Sequence, residues 1–451
     1  MSDSVTALYN QSEYPSMSHP SMHPAVIAAS ALLAGFRAPC PSTARILEIG
    51  CSTGHHILPM AVAYPHATFT AIDVALPAIH QARADAKELG LTNITFHHAD
   101  LLEWLPDDGP YDYILAHGFL SWVNDALKEK LLSFCHTHLA SGGVACISYN
   151  TLPGWALRLP IAEMAKTLRK DDKQESNIDI YQLLDSATQG ATSPYAVHLR
   201  SIILDAQAKG QQQLSFDDMG PINDPCYFSQ FIQWMRHAGL SYIGESDQSL
   251  EDPNHLPWGA LSIIPQWEGD PLLQQQLADL LTGRTFRNSI ITGKHQQQEP
   301  VRLQELLELA IEVRGLLPTT EQQELELFHQ RLRDLQPRCV TLKEAIDHYQ
   351  INAATLIPHI IFLARNGTIR LRQGAIDFPE HIPSHPVLPH LARIQMQRGA
   401  PLVDAYHNPC QLSDEFQQVL QASIVEATPV GENAGIWEIL RRRGLLGFQL
   451  R

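Results

Sequence analysis

Arg45-Ile46-Leu47-Glu48-Ile49-Gly50-Cys51-Ser52-Thr53-Gly54-His55-His56 decides the fold. Its apolar run, Ile46 to Ile49, ends in small residues and opens into a helical pattern, Ile57-Leu58-Pro59-Met60-Ala61. Strand, tight glycine turn and helix in that order predict the start of a doubly wound, Rossmann-like α/β domain. Glycine at 50 and 54 permits a sharp turn and lets a ligand approach the main chain without meeting a Cβ. The turn is expected at the carboxyl end of the first strand, where open parallel sheets bind nucleotide-like ligands.

Three ligand chemistries compete for this turn. A dinucleotide site wants Gly-x-Gly-x-x-Gly, and here Gly50-x-Ser52-x-Gly54 has no glycine at 55. A nucleophile elbow matches Gly50-Cys51-Ser52-Thr53-Gly54 letter for letter, but it normally follows several strands and a glycine-rich oxyanion segment, which residues 1–44 lack. The third chemistry needs an acid entering the turn and another closing the second strand. Glu48 precedes Gly50 by two residues, and Phe69-Thr70-Ala71-Ile72-Asp73 is an apolar strand ending in a carboxylate. Asp73 lies 23 residues beyond Gly50 (73 − 50), near the separation of about 20 typical of a ribose-binding acid.

This pattern resembles class I S-adenosylmethionine (AdoMet) methyltransferases, whose motif is Glu/Asp-x-Gly-x-Gly-x-Gly, with Ser52 replacing the middle glycine. The resemblance implies that Gly50, Cys51, Ser52 and Gly54 wrap the methionine part of the cofactor and that Asp73, with Val74 beside it, holds the ribose hydroxyls. It implies that Glu48 orders the loop, and that Asp100 and Leu101, after Asn93 to Ala99, meet the adenine. His117 and Gly118 are expected against the cofactor, with Tyr14 or Tyr9 of the N-terminal stretch closing over it as a lid. The product would be S-adenosylhomocysteine (AdoHcy).

A hydrophobic content of 44% with 18% charged residues is that of an ordinary globular chain of one to three domains. The formal net charge of −16 and the absence of a Lys/Arg stripe exclude a nucleic-acid sheath. Seven scattered cysteines without Cys-x-x-Cys argue against a disulfide framework or zinc knuckle, and imply a reducing compartment. His55-His56 and His97-His98 are adjacent residues that point apart, so neither pair is a metal clamp by itself. With no apolar run near 18 residues and no signal-peptide core, no membrane contact and a cytoplasmic location are expected.

Along the chain, residues 1–24 read as a Pro/His/Ser-rich tail or lid, and 25–155 as the AdoMet-binding core. Residues 156–215 form a polar helical insert too long for a crossover, with Asp171 to Glu175 an exposed loop. Residues 216–294 return to the sheet, Leu240 to Glu245 supplying a sixth strand and Arg284 to Thr292 a seventh, antiparallel one. In 295–451, Val301 to Leu335 is heptad-like and broken at Pro318. A helix start at Thr341 to Glu344, a helix at Ala353 to Arg365 and a short strand at Thr368 to Arg372 then suggest a winged-helix module for protein contact.

A second constellation follows the fourth and fifth strands: His117-Gly118-Phe119-Leu120-Ser121-Trp122-Val123 and Ser148-Tyr149-Asn150-Thr151-Leu152-Pro153-Gly154-Trp155. Methyl transfer from a sulfonium is an in-line displacement that needs a positioned nucleophile with a free lone pair. Tyr149 and Asn150 are the catalytic candidates, orienting an amine through phenol oxygen and amide carbonyl. Trp122 and Trp155 are the substrate-binding candidates at the entrance, where cation–π attraction is worth about 0.5–2 kcal/mol each; the competing assignment is core aromatics.

Together with Asn223-Asp224-Pro225-Cys226-Tyr227-Phe228 and Arg284-Thr285-Phe286-Arg287, these motifs resemble bacterial protein-lysine methyltransferases that carry a methyltransferase regulatory domain, over residues 9 to 294. That resemblance implies methyl transfer to a protein with an accessible lysine, and a homodimer formed through the helical insert. Small-molecule N- or O-methylation and a non-catalytic scaffold role are the alternatives. No metal is expected.

Overall fold

Five apolar segments fold as the parallel part of one sheet, the central ones buried on both faces and the third, at the sheet's edge, exposed at Thr95 and His98. In the computed structural model they are β1 (Arg45–Ile49), β2 (Thr68–Asp73), β3 (Ile94–His98), β4 (Tyr111–Ala116) and β5 (Leu139–Asn150). The structure describes residues 9–10, 14–15, 17–168, 180–209, 216–218, 220–250, 270–293, 296–335, 338–349, 351–376, 382, 388–410, 413, 417 and 434–445. The expected loop at Asp171 to Glu175 lies outside them. β6 (Leu240–Glu245) and β7 (Phe286–Gly293) complete a seven-stranded sheet in the order β3-β2-β1-β4-β5-β7-β6. β7 runs antiparallel to both its neighbours, as the sequence predicts. The order reverses between β1 and β4, which opens a crevice at their carboxyl ends.

The sheet is covered on both faces. α1 (Pro24–Leu33) is buried around most of its circumference, because its outer side meets the C-terminal region: Ala29 shares a core with Leu309 and Ile311. α2 (Ile57–Ala63) starts directly after the glycine turn, α3 (Leu76–Glu88) follows β2, and α4 (Asp125–His138) follows β4. Asn124 caps α4, accepting from the Leu127 N–H at 3.1 Å. Beyond β5 come α5 (Leu159–Leu168), α6 (Ile180–Thr188) and α7 (Pro194–Lys209), then α8 (Phe228–His237) before β6 and α9 (Pro271–Thr282) before β7.

A buried ion cluster pins the last two strands. Arg287 of β7 donates to Glu245 Oε1 at 2.7 Å and to both oxygens of Asp279 on α9 at 2.7 and 2.8 Å, and its guanidinium lies 4.2 Å from the Phe228 ring centroid. Glu245 also accepts from Ser289 Oγ at 2.8 Å. Several polar partners around one guanidinium satisfy charges that would be costly alone.

The C-terminal region departs from expectation in one stretch. Val301 to Leu335 is interrupted well before the expected break at Pro318: α10 (Leu303–Leu307) is followed by β8 (Leu309–Val313), and helix resumes only at α11 (Gln323–Leu335). Leu309, Ala310 and Ile311 are buried against β10 (Ile369–Gln373), and Glu312 meets Arg370 across the pair at 3.0 Å. A short apolar run carries no decisive period, and the available pairing edge selects strand. β9 (Val340–Thr341), α12 (Leu342–Tyr349) and α13 (Ala353–Arg365) complete this unit, whose three strands lie in the order β10-β8-β9. After α14 (His390–Gln397) a small hairpin, β11 (Leu402–Val403) and β12 (Pro409–Cys410), turns back toward the crevice, and α15 (Ala434–Arg442) follows. Among the described residues no helix is long and apolar enough to cross a membrane, and no group of three or more His, Cys, Asp or Glu is placed to hold a metal.

Candidate active site

The crevice at the ends of β1, β2 and β4 has a volume of about 840 Å³. Its floor is the glycine turn, which is fastened to β2 by Gly50 and Cys51 N–H groups donating to Ile72 O at 2.9 and 3.1 Å. Gly50 has φ +79°, and a Cβ there would also come within 3.2 Å of Phe119. Ser52 takes a left-handed φ of 47°, a conformation unfavourable for a residue with a side chain. Its N–H donates to Asp73 Oδ2 at 2.8 Å, while Asp73 Oδ1 accepts from Ala75 N at 2.8 Å. One carboxylate therefore orders both loops that border the crevice.

Glu48 is buried at the crevice wall, and its Oε2 has no hydrogen-bond partner among the described residues. Burial, and then the neighbouring Asp73, hold its carboxyl well above the usual carboxylate range. An unsatisfied buried acid, a turn that excludes Cβ and a carboxylate at the end of β2 are the donor and acceptor set that an S-adenosyl nucleoside requires; the residues present fit it. Val74, Leu101, His117, Gly118 and Tyr14 also line the crevice, with Cys51 and Ser52.

Two of the expected cofactor residues stand outside the crevice lining. Asp100 does not line the crevice, although Ala99 and Leu101 do; its Oδ1 accepts from the Leu102 N–H at 3.0 Å and orders the turn after β3. Gly54 also stands back from the cavity, and its role is packing: at φ +75° an added Cβ would lie 2.9 Å from the Phe96 ring.

The other half of the crevice is assembled from distant segments. Ser148 Oγ accepts from the Gly118 N–H at 2.8 Å and Ser121 Oγ from the Asn150 N–H at 2.9 Å, so the exits of β4 and β5 are stitched together. Asn150 lines the crevice, and its Nδ2 is buried with no partner among the described residues. Trp122 and Trp155 form one wall, edge to face at 6.2 Å between centroids. Trp155 Nε1 donates to Asn223 Oδ1 at 2.7 Å, and Arg158 lies 4.9 Å from the Trp155 ring while pairing bidentately with buried Asp218. Gly154 is required here, because a Cβ would sit 2.0 Å from Gly283 O. Tyr9 and Tyr14 pack on Phe216, at 5.5 and 5.3 Å between centroids, and Tyr14 donates to Asp217 Oδ1 at 3.3 Å.

Tyr149 is the main correction. It is buried in the core, stacked on Phe231 at 4.4 Å, with its hydroxyl 3.1 Å from Ser289 Oγ. Successive strand residues face opposite ways, so an Asn150 that faces the crevice sends Tyr149 into the core. Of the two catalytic candidates only Asn150 lines the crevice.

Sequence reading expected His117 here but missed the histidines around it. His19, His55 and His56 line the crevice beside His117, and His407, at the tip of the β11–β12 hairpin with φ 71°, reaches His56 with 2.6 Å between ring nitrogens. Phe286 and Asn288 of β7 were missed as well. The His-Pro punctuation at His19-Pro20 and His23-Pro24 was the available signal, but nothing local says that these residues fold inward.

Comparison with known proteins agrees with this geometry. Residues 46–143 match a family model described as a methyltransferase domain, and residues 210–292 match one described as a predicted methyltransferase regulatory domain. The two matches follow one another along the chain. It is 30% identical over 291 residues to an uncharacterized protein of Rickettsia prowazekii, a stretch covering 63% of this chain and 52% of that one. The chain thus spans about half the length of that relative. A malonyl-[acyl-carrier protein] O-methyltransferase of Bacillus anthracis is 34% identical over 109 residues, 24% of this chain and 38% of that protein. PKMT2 from Rickettsia typhi, solved in complex with AdoHcy, superposes with a TM-score of 0.81 over 96% of this chain and 99% of that one, at 21% identity. This last likeness is one of fold. The segment matching the first model supplies the turn, Glu48 and Asp73, and the segment matching the second supplies Asp217, Phe286 and Asn288 to the same crevice, with Asn223 behind Trp155.

Proposed function

We propose that this chain transfers a methyl group from AdoMet to the side-chain amine of a lysine in another protein. The observation that carries the proposal is the division of one crevice into a polar half at β1 and β2 and an aromatic half at β4 and β5. The aromatic half, walled by Trp122, Trp155 and Phe216, suits a long, thin cationic side chain, because ring faces attract ammonium while shedding its water. The fold shared with PKMT2, a protein solved with AdoHcy bound, supports the AdoMet part of this reading.

In this mechanism AdoMet supplies an electrophilic methyl group when bound. Asp73 accepts from the ribose hydroxyls, and the Gly50-to-Ser52 backbone cradles the amino-acid part. Glu48, buried at the wall beside the turn, orders the loop. Asn150 holds the acceptor amine in line, and Trp122 and Trp155 exclude water around it; such positioning accounts for much of a displacement's acceleration. The C-terminal region, read as a winged-helix module, and the helical insert, read as a dimer contact, serve substrate docking in this proposal.

Incubation with tritiated AdoMet and cell lysate tests it. Label in acid-precipitable protein, recovered as methyl-lysine, supports the proposal; label only in extractable metabolites assigns the chain to small-molecule methylation, and no label with tight AdoHcy binding assigns it to a scaffold.

A further inference from the structure

The proposed transfer leaves one proton without a destination. A lysine arrives as ammonium, and its nitrogen has no lone pair for the methyl carbon until a proton departs. The acids nearest the turn have other tasks: Glu48 is buried at the crevice wall beneath the loop, and Asp73 is committed to two N–H groups. Tyr149 lies in the core.

His19 stands in a different position. It is half-buried, lines the crevice, and stacks on His117 with 3.4 Å between centroids and 26° between planes. It is also held from behind: its backbone N–H donates to His56 Nδ1 at 3.3 Å, the atom that His407 Nε2 approaches to 2.6 Å. A backbone N–H can only donate, so His56 Nδ1 is an acceptor, His407 donates to it, and neutral His56 carries its proton on Nε2. The titratable groups around His19 are therefore His117 from the β4 exit, His55 and His56 from the turn before α2, and His407 beyond His56, all imidazoles. Two stacked rings cannot both be charged, so the His19–His117 pair accommodates a single proton.

We propose that the His19 imidazole takes the proton from the acceptor ammonium, an inference that rests on the lysine reading above. An N–H bond of the ammonium breaks, a ring nitrogen of His19 gains the proton, and the freed lone pair bonds to the transferred methyl carbon, whose former bonding pair stays on sulfur. Burial first, then His117 and His55, push His19 well below the ordinary histidine value, so the base starts neutral. Desolvation between the aromatic walls lowers the ammonium's pKa toward it. The open edge of His19 then returns the proton to solvent.

The test is the pH–rate profile of labelling of lysate protein by the wild type, His19→Ala and His19→Gln, with AdoHcy affinity measured on each by calorimetry. The wild-type rate is flat from the histidine range up to the lysine pKa of about 10.4, because the proton only changes place within the complex. Both variants should lose about 100-fold near neutral pH and climb about tenfold per pH unit, since only amine already neutral in solution reacts. Added imidazole should restore part of the His19→Ala rate, and AdoHcy affinity should stay within about threefold of wild type. A flat profile in the variants, or a loss that follows AdoHcy affinity, overturns the inference. Absence of protein label with the wild type overturns the lysine reading itself, and this inference with it.

Discussion

Replacing Arg287 by Met removes the cation that three buried carboxylate contacts converge on. The guanidinium and both carboxyl groups, Glu245 and Asp279, have no solvent exposure, with contacts of 2.7 Å to each acid. Methionine fills the volume but leaves two acids without their cation, which costs about 3–5 kcal/mol for a buried pair broken on one side. At about 2–4 °C per kcal/mol for a unit of this size, the melting transition of the sheet should fall by about 10 °C. Its pH dependence is the sharper signature. Burial already raises Asp279 above the ordinary carboxyl value of 3.8 in spite of Arg287, so the native state binds that proton more tightly than the unfolded chain. Such a group's contribution to stability falls as pH rises from near 3.8 through the folded pKa. Without Arg287 that folded value moves higher still, so the variant's deficit should shrink as pH is lowered from neutral to about 5. Thermal melts across pH, followed by tryptophan fluorescence with bound AdoHcy absent, read this out. A variant that melts within about 2 °C of wild type, or whose deficit widens in acid, would refute the assignment of Arg287 as the charge clamp of β6, β7 and α9.

Three further outcomes are expected. Tyr149→Phe should leave methyl transfer within about twofold and cost about 1 kcal/mol of stability, since only the contact to Ser289 is lost; a collapse of turnover at unchanged stability would return Tyr149 to the chemistry. Ser52→Gly should relieve the left-handed backbone at φ 47° and stabilise the domain by about 1 kcal/mol with AdoHcy affinity kept, as differential scanning calorimetry would show. Acid should destabilise the wild type steeply. Burial lowers His117 to about 3 and His55 to about 4, and pushes His19, His23, His56 and His407 well below 6.5, so stability is present above the unfolded value of 6.5 and is lost as pH falls toward the folded values. Each histidine that stays neutral contributes up to about 1.4 kcal/mol per pH unit, and urea titrations between pH 7 and 5 that show a shallow slope would contradict the burial of the cluster.

The cofactor half of the crevice was legible because its parts are local. Glu48, Gly50 and Asp73 sit at the ends of two consecutive strands, so spacing along the chain translates directly into position at a sheet edge. The acceptor half was legible only in part: Asn150, Trp122 and Trp155 were expected there, but His19, Asp217 and Phe286 join them from distant segments whose meeting depends on long-range pairing such as Cys226 N–H to Asn150 O at 3.1 Å. Tyr149 shows a nearer miss: strand alternation allows one of two neighbours to face the crevice, and the phenol's chemistry was weighed before its direction. The Leu309 strand inside a heptad-like run shows the opposite case, in which the pairing edge offered by β10 outweighs a helical pattern.

The most direct measurement is a crystal of this chain soaked with AdoHcy. The nucleoside should lie between the ends of β1 and β2, its ribose hydroxyls within hydrogen-bond distance of Asp73 and its sulfur directed toward Asn150. Density for AdoHcy elsewhere, or a crevice that stays empty at saturating concentration, would contradict the account.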